Sequence, residues 1–349
     1  MTAASVVITN HDYGRFVGQA IESALAQTYP GTRVVVVDDG STDESPRIIR
    51  GYGARVCAVF QGHLGQADAM LAGLRASTGE VVLFLDSDDV LYPEALSEIC
   101  SRFHGGVAKV QARLDLIDAR GHPLGRQTPP MAMPSGDLAP LVLRHGWYPA
   151  PPTSGNAFSR RVLETLLPVP DSYAGLRAAD GKLAVSDHYL SVLGALHGEV
   201  VSVPGALGAY RLHEAGPAGP ALLAEIRRRI ERAAALSDLV VRHAGTRPVA
   251  SRIHLELGTP NRVKERLLSM RLDPRGHTPP SDTRWGLVRA GLAAAWTVPW
   301  SPRRMRVVQS LGLLVLAGVS TAAITPILAK CVVDHERPRW LSRLVGMEV

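Results

Sequence analysis

The sequence predicts an α/β fold, a mostly parallel sheet with flanking helices, followed by a helical C-terminal extension. Three observations carry that expectation. Short apolar, largely β-branched runs recur through the first hundred residues, segments of helical period separate them, and two of the runs end in clustered Asp. In order, residues 5–9 read as a strand, 16–27 as a helix, and 33–37 as a valine-rich strand bounded by DDGSTD. Residues 45–52 read as a second short helix, 55–60 as a third strand, 65–77 as an Ala- and Leu-rich helix, and 80–85 as a fourth strand ending in DSDD. Parallel strands joined by helical crossovers follow from that alternation.

The remainder is less regular. Residues 105–170 contain the loop-rich stretches HPLGRQTPPMAMPSGD and WYPAPPTSG, with strands expected at 107–118 and 155–159 and a short helix at 160–167. Residues 182–196 read as a helix around SDHYL, and GEVVSVP leads into the strand-like ALGAYRLH. Residues 222–242 form an amphipathic pattern, with Leu222, Ile226, Ile230 and Ala233 on one face and Arg227, Arg228 and Arg232 read as a solvated face. Trp147 and Tyr148 suit either stacking on a sugar or packing of a Pro-rich loop.

With 349 residues, 46% hydrophobic and 20% charged, the chain has globular composition and ample length for a buried core. Cys57, Cys100 and Cys331 form no CxxC pair, which argues against a zinc knuckle or a disulfide framework. The N-terminus reads as a buried strand and not a signal peptide, so the expected location is cytoplasmic. The net charge of +6 is unevenly placed: acidic side chains dominate the first hundred residues, and Arg-rich stretches follow position 225. Few aromatics accompany those stretches, so nucleic acid is not an expected partner.

Residues 307–329 carry no charge and as a helix would extend about 34 Å, long enough for a hydrocarbon core. Trp296 and Trp300, with Arg303, Arg304 and Arg306, suit a membrane interface, whereas Gln309, Ser310, Ser320, Thr321, Thr325 and Pro326 oppose a span. A span, a helix lying at the inner face of the cell membrane, and an apolar helix packed on the protein all remain open.

Asp38, Asp39, Asp86, Asp88 and Asp89 fall just past expected strand ends, where open α/β sheets form their ligand crevice. Each cluster alone also suits a turn or helix cap. Neither GxxxxGK[ST] nor GxGxxG is present, so a P-loop enzyme and a dinucleotide dehydrogenase are unsupported. A D-x-D-D cluster is instead a hard oxygen site for Mg2+ or Mn2+ shared with a diphosphate.

ITNHDYGRFVGQAIESALAQTYP, VVVVDDGSTDES and GEVVLFLDSDD together resemble the family 2 glycosyltransferases of GT-A fold. The resemblance is close over residues 4–100 and looser to about 215, where SDHYL and YRLHE stand in place of later motifs. It implies a metal-assisted, inverting glycosyl transfer from a UDP- or dTDP-linked sugar to a saccharide or lipid-linked acceptor, in cell-surface polysaccharide or glycoconjugate synthesis. By that resemblance Thr9 and Asp39 contact base and ribose, Gln66 is a polar candidate near the donor, and Asp86 and Asp88 face the nucleotide-sugar. Asp88, Asp89 and His213 would hold the metal, and Asp187 would be the catalytic base. Leu71 and Gly216 stand where relatives commonly carry Asn. The implied organisation is a catalytic domain over 1–219 (donor half 1–104, acceptor half 105–219), a helical extension over 220–280 and an apolar, basic segment over 281–349. The alternatives are a non-catalytic nucleotide-sugar-binding scaffold and a sugar-nucleotide pyrophosphorylase, which would want a Gly-rich basic loop where NHDYGRF stands.

Overall fold

The first four strands form in the predicted order. The computed structural model describes residues 2–167, 169, 187–212 and 220–318. In it β1 (Ala4–Asn10), α1 (Gly14–Leu25), β2 (Arg33–Asp39), α2 (Ser45–Gly51), β3 (Cys57–Gln61), α3 (Gln66–Ala76) and β4 (Val81–Asp86) alternate, and β3, β2, β1 and β4 lie side by side, all parallel. The valine runs do not alternate with polar residues because both faces are covered. Val6, Ile8, Val34 and Val36 pack with Val17, Ala20 and Ile21 of α1, while Val7 and Val37 turn to α3, where a Cβ on Gly73 would fall 2.2 Å from Val7 Cγ1.

Beyond β4 the sheet becomes mixed. A two-residue strand β5 (Val90–Leu91) and helix α4 (Ala95–Cys100) lead to the long β6 (Val107–Ile117), β7 (Pro123–Thr128), α5 (Ala139–His145), β8 (Asn156–Ser159), α6 (Arg160–Leu166), α7 (Asp187–Gly194) and β9 (Glu199–Arg211). The order is β3-β2-β1-β4-β8-β6-β9-β5, with β8 antiparallel to both neighbours and β6 parallel to β9. GEVVSVP and ALGAYRLH supply one continuous strand, β9, whose register against β6 shifts at irregularities. Strand β7 and helices α4 and α5 lie where the sequence suggested only loop or gave no element.

Helix α7 is anchored by three buried polar contacts: Tyr189 Oη donates to the Leu166 carbonyl at 2.7 Å, Tyr148 Oη to the Ser191 carbonyl at 2.9 Å, and Lys109 Nζ to Ser191 Oγ at 3.1 Å. Tyr148 is fully buried, so the packing reading holds for it and not sugar stacking.

The chain divides into two compact units, one drawn from Met1–Pro140 and Tyr148–His213, the other from Leu141–Trp147 and Glu214–Val349. The second contains α8 (Pro220–Ala244), α9 (Arg252–Glu256), α10 (Pro260–Leu272), α11 (Arg284–Thr297) and α12 (Arg303–Gly318). Its core joins Val263, Leu267, Leu287, Val288, Leu313 and Ala317. The arginines of α8 are not a solvated face. Arg228, Arg229 and Arg232 are half-buried around Glu225, Arg229 also reaches Glu265 of α10, and Arg227 pairs with Asp273. Among the described residues no helix is long and apolar enough to cross a membrane, and 319–329 of the uncharged run lie outside them.

Candidate active site

Two carboxylate groups flank the C-terminal end of β1. Thr9 pairs with Val37 of β2 on one side and Asp86 of β4 on the other, strands that run about 4.8 Å apart. Asp38 and Asp39 end β2, which runs two positions beyond the predicted strand, and Asp86 ends β4, one position beyond.

At the β2 end Asp38 and Asp39 do different work. Asp38 Oδ1 accepts from Asn10 Nδ2 at 2.9 Å and Ser41 Oγ at 2.6 Å, which closes the DDGSTD turn on β1. The same turn latches the β1–α1 loop: Thr42 N donates to Asp12 Oδ1 at 2.6 Å, and Gly14 N to Asp43 Oδ2 at 2.8 Å. Gly40 is required there, since its φ of +72° is left-handed and a Cβ would meet His63 N at 2.5 Å. Asp39, 4% exposed, is encircled by donors. Its Oδ1 accepts from Gln61 Nε2 at 2.7 Å and Leu64 N at 2.8 Å, and its Oδ2 from His63 Nδ1 at 3.0 Å and Gly65 N at 2.8 Å. Gln66 follows directly as the first residue of α3. The rings of His11 and His63 stack at 3.7 Å, 5° from parallel, and each presents Nδ1 to the Asp39 carbonyl.

At the β4 end Asp89 is fully buried. One of its oxygens accepts from Ser154 Oγ at 2.6 Å and the other from the Arg211 backbone N–H at 2.9 Å. Ser154 Oγ also accepts from the Asp86 backbone N–H at 3.1 Å, so one hydroxyl ties both ends of DSDD together. Arg211 Nε donates to the Asp88 carbonyl at 2.7 Å, and Arg211 continues to the Asp118 carbonyl and to Gln19 Oε1. Burial pulls the Arg211 guanidinium down, while Asp88 and Asp89 oppose that fall. Burial, followed by Asp88, Asp86 and Asp89, pushes the Tyr13 phenol above its ordinary value. A phenol that feels all three carboxylates marks a concentration of negative charge.

Tyr92, just past β5, fastens this segment to β6: its Oη donates to Asp115 Oδ2 at 2.6 Å, and burial, with Asp115, pushes the phenol up to about 12.

Among the described residues, one group of three His or acidic side chains gathers ligand atoms within 4.8 Å, namely His11, Asp39 and His63. That spacing is within reach of a divalent ion. Both Nδ1 atoms, however, are spent as donors to Asp39, and both Asp39 carboxylate oxygens already accept N–H donors. Hard oxygen donors are the alternative, at Asp86 and Asp88.

The structure thus gathers Thr9, Asp86, Asp88 and Asp89 at one place and Asp39 and Gln66 at the adjoining one. Asp187 is the first residue of α7, with its side chain outside the described part, and His213 lies outside the described residues. Ser154, His63 and Gln61 were not singled out in the sequence, and His11 and Tyr13 stood unassigned within the ITNHDYGRF motif. Arg211 carried a signal, two positions before His213 in YRLHE.

Carboxylates gathered at the C-terminal ends of adjoining parallel strands stand where open α/β sheets take their ligands. Residues 5–167, just under half of the chain, match the sequence model of the family described as Glycosyl transferase family 2. An uncharacterized glycosyltransferase of Nostoc sp. is 37% identical over 218 residues, covering 60% of this chain and 65% of that protein. An uncharacterized glycosyltransferase of Rickettsia prowazekii is 32% identical over 123 residues, 34% of this chain and 39% of that protein. The chain therefore spans less than two thirds of either relative. A solved mannosyltransferase of Pyrobaculum calidifontis, in complex with GDP-Man and Mn2+, shares the fold with a TM-score of 0.50 and 18% identity over 93% of this chain and 87% of that one.

Proposed function

We propose that this chain transfers a glycosyl group from a UDP- or dTDP-linked sugar to an acceptor hydroxyl, with inversion at the anomeric carbon and assistance from a divalent ion. The observation that carries the reading is the pair of carboxylate groups on either side of β1: Asp39, ringed by N–H donors, and Asp86 to Asp89, concentrated around Tyr13 and Arg211. A carboxylate beside an aromatic ring suits a base N–H, and a cluster of hard oxygens suits a cation shared with a diphosphate.

Asp86 and Asp88 would hold Mg2+ or Mn2+, and His213 is a further ligand by resemblance. Asp89 fits a supporting role better, since both its oxygens are already held by Ser154 and Arg211. When bound, the ion supplies neutralisation of the charge that develops on the departing diphosphate. The residues do the rest: Asp39 with Thr9 orients the nucleoside, Gln66 stands near the donor, and Asp187 takes the proton of the attacking hydroxyl. General-base help of that kind is worth about 10²- to 10⁴-fold. The acceptor would be a saccharide or a lipid-linked saccharide, in cell-surface polysaccharide or glycoconjugate synthesis.

The test is release of nucleoside diphosphate from a panel of UDP-, dTDP- and GDP-sugars, with and without Mn2+. Asp187→Asn should lower turnover about a hundredfold or more while donor affinity stays within about twofold, because a base acts mainly in the transition state. Turnover unchanged by Asp187→Asn contradicts its role.

A membrane location belongs to the same reading. Helix α12 buries Leu313, Leu316 and Ala317 and leaves Val307, Leu311, Leu314 and Val315 exposed in a stripe that begins at Arg303 and Arg304. Trp296 of α11, 52% exposed, adjoins that stripe through Nε1 to Ser310 Oγ. Arg306 is committed elsewhere, to the carbonyls of Trp296, Val298 and Ser301. An apolar stripe with aromatic and basic borders suits the surface of an anionic bilayer. Co-sedimentation with phosphatidylglycerol vesicles, lost in Leu311→Asp, would support it. Equal sedimentation with neutral vesicles, or none, would remove it.

A further inference from the structure

The ring of His63 has the features a pyrimidine would need at this place. It is flat, it lies against the face of His11 at 3.7 Å, and it donates an N–H to Asp39 Oδ2 at 3.0 Å. We propose that the His63 imidazole is a stand-in for the donor's base: it holds the slot between the His11 ring and the Asp39 carboxylate, and a one-ring base with an imide N–H, uracil or thymine, displaces it. This rests on the reading of Asp39 as the base-binding carboxylate.

The exchange is balanced in hydrogen bonds. Asp39 accepts two donors on each oxygen, and three of the four come from groups fixed by the fold: the Gln61 side chain at the end of β3 and the backbone N–H groups of Leu64 and Gly65. The fourth is the His63 side chain, about one third exposed, on the loop between β3 and α3. Rotation of that side chain alone frees Oδ2 and one face of His11 and leaves the loop backbone bonded to Asp39. The incoming imide N–H then replaces one N–H by another, and the incoming ring replaces one stacked ring by another. Without a stand-in, a carboxylate 4% exposed would be short of a donor whenever no nucleotide is bound. Displacement vacates the room of one ring on the face of His11 beside Asp39, where a pyrimidine can stack. His63 therefore sets the affinity of the slot: every base must displace it, and only a base that restores both the stack on His11 and the N–H to Asp39 recovers what the displacement costs.

The experiment measures UDP, N3-methyl-UDP and GDP affinity calorimetrically, at one Mg2+ concentration, for the wild-type chain and His63→Ala. If the slot is closed most of the time, apparent affinity is reduced by the open fraction, so His63→Ala should bind UDP about fivefold more tightly or better. GDP, which must displace the same side chain, should gain by a similar factor. In the wild-type chain, nitrogen-edited NMR should show the His63 Nδ1–H signal lost and a base N3–H signal gained on UDP saturation. Unchanged or weaker UDP binding by His63→Ala overturns the stand-in, as does a His63 Nδ1–H signal that persists at saturation. N3-methyl-UDP separates the two levels of the argument without altering the protein. If it binds as well as UDP, Asp39 does not read the base and the underlying assignment fails. If it binds worse while His63→Ala shows no gain, that assignment stands and the displacement alone is wrong.

Discussion

Arg211 grips the acidic segment twice: its Nε donates to the Asp88 carbonyl at 2.7 Å while its backbone N–H donates to the Asp89 carboxylate at 2.9 Å. The last residue of β9 thereby fixes the loop after β4 across 122 positions of sequence. Phe16 lies beneath the guanidinium at 4.8 Å from its ring centroid, which locates the charge over α1.

Arg211→Met should therefore keep the packing over Phe16 and lose the donors to Asp88, Asp118 and Gln19. The backbone bond to Asp89 survives the substitution, so the fold should persist. The expected result is nucleotide affinity weaker by about tenfold, one charge-assisted hydrogen bond's worth or slightly less. Calorimetry reads it, and an unchanged affinity would mean that the loop holds its shape without the side chain.

In acid, the turn between β6 and β7 is the place to look. Asp118 accepts backbone N–H bonds from Arg120 and His122, and the His122 backbone bond leads the causes that lower its pKa from 3.8 to about 2. A depressed folded value means that its stabilisation is complete above the unfolded value near 3.8 and is lost as pH falls toward 2. Carboxyl NMR should find Asp118 still ionised at pH 3, and Asp118→Asn should flatten local amide protection between pH 4 and 2, a window set by about those two values. A midpoint near 4 would contradict the turn.

The second unit offers a cleaner stability measurement. Arg266, almost fully buried, forms a bidentate pair with Asp282 at 2.7 and 2.9 Å and a further bond to Glu256 at 3.0 Å. Asp282→Ala leaves the buried Arg266 with Glu256 alone and should cost about 3 kcal/mol, whereas Arg266→Met with Asp282→Leu should recover most of that. All five tryptophans of the sequence, at 147, 285, 296, 300 and 340, fall in the ranges assigned to this unit, so urea unfolding followed by tryptophan fluorescence reports on it. A single variant as stable as the parent would show the pair to be solvated.

The alternation of β1 to β4 with α1 to α3 was legible because buried parallel strands leave unbroken apolar runs and their ends leave Asp and Gly. What was not legible has physical causes. Strand β7, PLGRQT, is an exposed edge with no apolar alternation, held by Gln127 and Asp115 across the pair. The arginines of α8 look solvated in one dimension, and only the carboxylates of α10 and the loop after it reveal their burial. At the site, the Asp clusters were readable from their strand-end positions. Ser154 and His63 were not, because each acts through a long-range bond, to Asp89 and to Asp39, that no local pattern encodes.

The central claim is that DSDD, with its divalent ion, binds the diphosphate of the donor. The most direct measurement is calorimetric titration of UDP with Mn2+ and then with EDTA, for the wild-type chain and Asp88→Asn. Arg211 bonds the Asp88 backbone carbonyl, a contact that the substitution leaves in place, so the variant should fold. The account predicts that EDTA and Asp88→Asn each weaken UDP binding by about tenfold or more, and that the two losses do not add, because both remove the same metal contact. UDP affinity that is unchanged in EDTA and in Asp88→Asn would contradict it.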